Sequence, residues 1–327
     1  MKGITIGYHA SHEQFDPGKL LDFVQLAETA GFKGILCSDH FNPWSEEQGE
    51  SGFAWSWLGA AMQATRLRHG IVTTPGGRYH PAVLAQAAAT LCQMFPLRFW
   101  MAIGSGQYLN EHITGQQWLS EEDRNRRMKE SADIMRNLWR GETVTHHGMV
   151  DVYDTKLYTL PKYIPELLGA ALTESNAECV GSWADGLTTT SGSPKQLRKI
   201  IDAFRKGGGE GKSVYLKVQL SYDKTYNKAL AGAHQQWKNN VFSPSLLADI
   251  RNPKALDAAG CAVKPEDILS AVRISDSLDQ HAEWLAQDID AGVSHLYLHN
   301  VNQEQQQFIE DFGKKVLPDF HSSWIEE

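Results

Sequence analysis

The sequence predicts an α/β chain: a single (β/α)8 TIM barrel over residues 1–327, with insertions over the C-terminal face of the barrel. Three observations predict it. Eight short apolar runs recur along the chain, each followed by a segment of helical character, the alternation that builds parallel sheets. No G-x-G-x-x-G follows the first run, which weighs against a doubly wound nucleotide-binding sheet. Ionisable and hydroxylated residues gather just past the carboxyl ends of the runs, where a parallel barrel places its site.

The first run is Ile4–Tyr8. Asp16-Pro17 then supplies an N-cap and a first-turn proline, and Leu20, Phe23, Val24, Ala27 and Ala30 fall on one helix face that Gly31 ends. Gly34–Cys37 is the second strand, so strand, helix and strand fit one parallel crossover unit. A small-residue helix near Leu58–Thr65 leads to the third strand, Gly70–Thr74, which Pro75-Gly76-Gly77 stops. Ala82, Leu84, Ala85 and Ala88 mark a helix from Pro81 to Met94 that packs closely on a sheet. Phe99–Ile103 is the fourth strand, with Gly104-Ser105-Gly106 at its tip. Ser120-Glu121-Glu122-Asp123 has capping-box form and opens a helix to Trp139.

From Gly141 to Pro165 the rhythm breaks, and Thr143–Tyr153 reads as a polar hairpin over the mouth. The fifth strand, Leu167–Ala171, precedes a helix over Ser175–Ala184. The sixth, Leu187–Thr190, precedes the helix Pro194–Lys206. Val214–Leu220 is the seventh strand, and helical material fills Lys224–Arg273. Ser277–Ala291 is helical, His295–His299 is the eighth strand, and a closing helix spans Gln303–Val316.

Composition narrows the class. The net charge is −8 without a long basic run, so nucleic acid and anionic membrane are poor partners. No apolar run approaches the roughly 18–20 residues of a membrane span, and Met1–Tyr8 enters a strand without a signal-peptide core. The four cysteines are far apart and form no CxxC, so reduced thiols in a cytoplasm are expected. There is no metal-ligand set of the H-x-H kind and no G-x-S-x-G.

The strand tips collect Tyr8, Ser11 and Glu13 from the first, Asp39, His40 and Trp44 from the second, and Thr73 and Thr74 from the third. Gly104–Gly106 and Asn110-Glu111-His112 follow the fourth, Thr190 and Ser191 end the sixth, and His299 ends the eighth. An imidazole that titrates near neutrality, a carboxylate beside it and an indole four residues on suit proton transfer at an aromatic-walled pocket.

Several segments carry a family likeness. Gly7-Tyr8-His9-Ala10-Ser11-His12-Glu13-Gln14-Phe15, Ser38-Asp39-His40-Phe41-Asn42-Pro43-Trp44, Arg78-Tyr79-His80-Pro81-Ala82-Val83, Gly104-Ser105-Gly106, Leu109-Asn110-Glu111, Ala184-Asp185-Gly186 and Thr190-Ser191-Gly192 resemble, in order and spacing, the luciferase-like flavin and deazaflavin oxidoreductases. The pattern is most similar to their deazaflavin-dependent glucose-6-phosphate dehydrogenase branch. The resemblance implies the same barrel as a homodimer acting on a small-molecule substrate. It makes His40 the base for a hydroxyl proton as hydride leaves carbon, Glu111 the acid that protonates the cofactor ring, and Trp44 the indole over the reacting centre. Asp39 becomes the cofactor-side carboxylate that also orients His40. Val72 and Thr73 form a bulge behind the ring, often with a cis peptide. Gly106, Thr173, Ser175, Thr190 and Ser191 complete the cofactor site, while Ser11, Glu13 and Trp44 form the substrate pocket.

Departures from that branch bear on substrate and cofactor. Ser193, Ala258 and Ala271 stand where the relative holds its sugar phosphate with basic residues. A dianion there loses charge-assisted bonds of roughly 1.5–3 kcal/mol each, so glucose 6-phosphate is not expected as substrate. Leu172-Thr173 replaces paired glycines at the cofactor phosphate, where Ser175 offers a helix cap and Glu174 is awkward. One phosphate suits such a site better than a polyglutamate tail, which favours FMN over the deazaflavin coenzyme F420. The expected function is therefore flavin-dependent hydride transfer with a small organic substrate. A deazaflavin-dependent dehydrogenase and a monooxygenase using reduced FMN and oxygen are the alternatives.

Overall fold

The computed structural model describes residues 3–321 and shows eight parallel strands closed into one barrel. They are β1 Thr5–Ala10, β2 Gly34–Ser38, β3 Arg68–Thr73, β4 Phe99–Ile103, β5 Glu166–Ala170, β6 Gly186–Thr190, β7 Ser213–Tyr222 and β8 His295–Asn300. Each strand pairs with the next, and β8 pairs back onto β1. Every strand that the sequence predicts is present within a few residues of its expected ends.

Strand alternation sends one set of side chains inward and the other toward the helices. Leu36, Trp100, Ala102, Leu168, Tyr215 and Tyr297 form the inner core, while a larger apolar layer joins the barrel to its helices. The inner aromatics fit because their neighbours lack side chains. A Cβ on Gly70 would lie 2.1 Å from the Trp100 ring. At the amino ends of the strands, Arg68 Nη2 and Tyr215 Oη both donate to Glu166 Oε2, at 2.6 and 2.9 Å, and satisfy the polar groups there.

The helix Pro17–Ala30 begins as its sequence specifies, with the Asp16 carboxylate accepting from the Lys19 N–H. Ser120 likewise caps Glu121–Trp139. Three features differ from expectation. The hairpin, Val144–His146 with Val152–Thr155, adds no residue to the mouth cavity; it is tied through Glu130 to the helix Glu121–Trp139. The mouth is instead covered by residues 224–272, where Trp237, Leu256, Ile268 and Val272 pack with Trp44 and Leu109. Lastly, β3 pairs in unbroken register with both neighbours as far as Thr73, so no bulge forms within Val72-Thr73, and no cis peptide bond occurs among the described residues.

Among the described residues no helix is long and apolar enough to cross a membrane. The packing predicts opposite outcomes for two glycines. Gly70→Ala, which forces Trp100 to shift, should lose about 1–3 kcal/mol. Gly59→Ala, in the helix Ala54–Ala64 with open space at its Cβ, should gain roughly 0.5–1 kcal/mol. Urea unfolding of both variants measures the contrast.

Candidate active site

A cavity of about 370 Å³ opens at the carboxyl ends of the strands. His40 and Trp44 enter it from the loop after β2, Val72, Thr73 and Thr74 from β3, and Gly104–Gln107, Asn110 and Glu111 from the segment after β4. Asp39, Thr173 and Thr190 line it as well. Four expected site residues do not line it: Ser11, Glu13, Ser175 and Ser191.

Two of those four act from behind. Glu13 is 3% exposed in its side chain, and its Oε1 lies 2.5 Å from His40 Nδ1 in an ion-pair contact. Ser11 Oγ donates to the other carboxylate oxygen at 2.8 Å. The imidazole is therefore oriented by Glu13, not by Asp39 as expected from the chain neighbour. Burial opposes ionisation of Glu13, but the His40 ring and the Lys217 ammonium outweigh it and hold the carboxyl well below its ordinary range. With Nδ1 committed, His40 presents Nε2, and Trp44 stands edge-on to the ring with centroids 5.1 Å apart.

Asp39 faces the other way. Its Oδ2 accepts from Thr73 Oγ1 at 2.7 Å and from Trp55 Nε1 at 3.2 Å, and its Oδ1 from Tyr79 Oη at 3.2 Å. Arg78 ties it to the second acid. Its guanidinium Nη2 donates to the Asp39 carbonyl oxygen at 2.6 Å, and its backbone N–H donates to Glu111 Oε2 at 2.6 Å. Gly77 makes this approach possible, because a Cβ there would sit 2.3 Å from Glu111 Oε2. Burial raises the Glu111 pKa, Arg78 and Arg127 oppose the rise, and Asp39 adds to it. Glu111 is thus pushed toward its protonated form.

The helix Glu174–Gly181 is capped by Thr173, whose Oγ1 accepts from the Asn176 N–H at 3.3 Å. Ser175 is an exposed residue of its first turn. Ser191 Oγ accepts from the Gln219 N–H at 2.9 Å and serves the strand tips. His299 is buried, donates from Nε2 to Gln14 Oε1 at 2.9 Å, and lies 4.5 Å from the His9 ring; burial first, then Lys217, keeps it neutral.

Among the cavity residues that sequence reasoning missed, four bear on the chemistry. Thr188 and Thr189 line it with hydroxyls that have no hydrogen-bond partner among the described residues. Arg124, from the helix after β4, lines it with its guanidinium 4.3 Å from the Trp118 ring centre and donating to the Leu119 carbonyl oxygen at 2.7 Å. Lys217 reaches it from β7, its Nζ 5.4 Å from the Trp237 ring centre. The alternation Tyr215, Lys217, Gln219 on β7 carried the signal for Lys217, since Tyr215 faces inward.

A closed parallel barrel with a buried acid-imidazole pair and a second, proton-retaining acid at its mouth defines an oxidoreductase-type site rather than a metal centre. No group of His, Cys, Asp and Glu among the described residues is arranged to hold a metal. The chain belongs to the luciferase-like monooxygenase family, whose model matches residues 3–295. It is 34% identical over 327 residues to an F420-dependent glucose-6-phosphate dehydrogenase from Microbacterium testaceum, covering 96% of this chain and 97% of the relative. Among solved structures it is similar to an F420-dependent secondary alcohol dehydrogenase in complex with an F420-acetone adduct, at TM-score 0.91 and 28% identity over 97% of this chain and 99% of that one. The FMN complex of 3,6-diketocamphane monooxygenase from Pseudomonas putida shares the fold, at TM-score 0.68 and 15% identity over 97% and 98% of the two chains.

The buried groups set a pH dependence of stability. His12 is held neutral, its pKa lowered to about 4 chiefly by burial, with His40 adding to the shift and Glu13 and Asp39 opposing it. A depressed folded-state value gives stability that is present above the ordinary pKa of 6.5 and is lost as pH falls toward 4. The denaturation midpoint should therefore drop between pH 7 and 4, with His12 contributing at most about 3 kcal/mol. His12→Leu should flatten that limb, and urea titrations at several pH values measure it.

Proposed function

We propose that the protein is a deazaflavin-dependent oxidoreductase that moves hydride between the carbinol carbon of a small alcohol and bound coenzyme F420. One observation carries the reading: His40, backed by Glu13, and Glu111, a carboxyl biased toward its protonated form, border one cavity from different strand tips. A base and an acid with opposed proton affinities are what alcohol oxidation coupled to ring protonation needs.

The residues present fit such a cofactor. The unpartnered hydroxyls of Thr188 and Thr189 face the cavity, and Arg124 with the N-terminal turn of Glu174–Gly181 offers positive charge to a phosphate. When bound, the deazaflavin supplies a planar two-electron acceptor. His40 Nε2 takes the hydroxyl proton, Glu13 stabilises the imidazolium, Glu111 holds the second proton, and Trp44 walls the reacting carbon from water.

The preference for FMN drawn from the sequence gives way here. Relatives at 34% and 28% identity are F420-dependent by name, while the FMN complex shares only the fold. Arg124, which sequence reasoning did not place at the cavity, adds a cation to the lining it shares with Leu172-Thr173, the segment on which the FMN preference rested. Glucose 6-phosphate remains disfavoured as substrate, because uncharged Ser193, Ala258 and Ala271 stand where the resemblance places the basic residues that hold its phosphate.

Equilibrium titration should show coenzyme F420 bound in preference to FMN, and an alcohol substrate alone should reduce it anaerobically. Exclusive FMN binding, or reduction that needs a nicotinamide donor and oxygen, would overturn the reading. His40→Gln should retain cofactor binding and lose about 10²–10⁴-fold in kcat. For alcohol oxidation Glu111 must be protonated, so activity should fall as pH rises through its elevated pKa, and Glu111→Gln should erase that alkaline limb; a pH–rate profile reads it.

A further inference from the structure

Lys217 is left unused by the reading above. Strand alternation places it beside Thr190 on β6 and Tyr297 on β8, on the inward face of β7. It lines the cavity, yet its Nζ has no hydrogen bond and no carboxylate within ion-pair distance among the described residues. Its one close neighbour is the Trp237 ring at 5.4 Å. Trp237 lies 6.5 Å from Trp44, and Trp44 lies 5.1 Å from His40, so two indoles bridge the ammonium and the imidazole around one space.

Lys217 is half-buried, and an ammonium facing a cavity with no paired anion is held at a cost. Burial lowers its pKa and Glu13 opposes that at longer range, but both carboxylate oxygens of Glu13 are engaged by His40 and Ser11, so an anion beside the ammonium would restore its charge. His9 and His299 add no charge, since burial keeps both neutral. The missing partner is therefore an anion from outside the chain, at the end of the cavity where His40 and Trp44 stand.

We propose that Lys217 pairs with a carboxylate carried by the substrate, so that the substrates are small hydroxy acids of single negative charge. The inference rests on alcohol oxidation at His40 and names its substrate class. The hydroxy acid gives hydride from its carbinol carbon to the cofactor and its hydroxyl proton to His40. An oxo acid remains, with the carboxylate unchanged. A lone ammonium with three donors and no guanidinium beside it suits a monoanion better than a phosphate dianion.

The test compares matched substrates on the F420-loaded enzyme: lactate against 2-propanol, and 3-hydroxybutanoate against 2-butanol. The acids should be favoured by about 10- to 100-fold in kcat/KM, the range of one charge-assisted bond. Lys217→Gln should collapse that ratio, mainly through KM, and Lys217→Arg should keep most of it. Acetate should perturb the tryptophan fluorescence of the wild-type protein saturably, and this response should vanish in Lys217→Gln. Equal or better turnover of the neutral alcohols, or an acid preference and acetate binding that survive Lys217→Gln, would overturn the proposal. Should the glutamine variant not fold, the wild-type ratio decides. Should no alcohol be oxidised, the oxidoreductase reading falls, and acetate binding alone decides for or against Lys217.

Discussion

Much of the mouth is arranged around one buried contact, Glu13 against His40 Nδ1 at 2.5 Å. Taking a carboxylate out of water is expensive, and attraction repays it only when its oxygens are also hydrogen-bonded. Here Ser11 occupies the second oxygen, and the Lys217 ammonium adds field from across the barrel. The surrounding imidazoles of His9, His12 and His299 are held neutral by burial, so they fill the space without competing for the charge. The loop after β1 is thereby locked to the loop after β2. A base whose tautomer is set by a neighbouring carboxylate follows directly from that locking.

The second acid is built on the opposite principle. Glu111 receives a backbone N–H from Arg78 and lies within 3.7 Å of its Nε, yet burial still dominates and lifts its pKa. Arg78 divides its charge between Asp39 and Glu111 and so holds neither fully. Of the acids that border this region, Glu111 is therefore biased toward its protonated form by burial, while the buried Glu13 is held well below the ordinary carboxyl range by His40 and Lys217. That separation, rather than the presence of acids as such, is what lets one site accept a proton at one end and hold one at the other.

The barrel was legible in the sequence because strand and helix periods are local. Each apolar run needed only its own residues and a turn signal to be placed. Which side chains reach the cavity was less legible, because a chain neighbour is not a spatial neighbour. Asp39 precedes His40, but the strand end turns its carboxylate toward Thr73, Trp55 and Tyr79, while Glu13 arrives from another loop. Thr173 took the cap expected of Ser175 because the helix begins at Glu174. Lys217 was hidden in plain alternation: between the serines Ser213 and Ser221 near its ends, β7 reads as apolar except at the two inward positions Lys217 and Gln219. The cover over residues 224–272 has short helices without a long period, so neither its place nor its part in the cavity could be read locally.

The division between barrel and cover bears on how a closed site admits a substrate. The base, the acids and Lys217 stand on strands or in the segments that follow them, fixed by barrel hydrogen bonds and by the loop contacts described above. The rim beside the turn Tyr108–Glu111 is the helix Pro244–Asp249, which fully buries none of its side chains and is held partly by Trp118 Nε1 donating to Asp249 Oδ1 at 2.9 Å. Displacing such a helix exposes little apolar surface, so its opening is inexpensive compared with any movement of the barrel. The anchor of the cover, Trp237, is by contrast fully buried against His299 and Trp44. The rim can therefore move without disturbing the rings that join Lys217 to His40. A site built this way keeps its proton-handling groups in register while the outer turn of its cover gives way to a ligand.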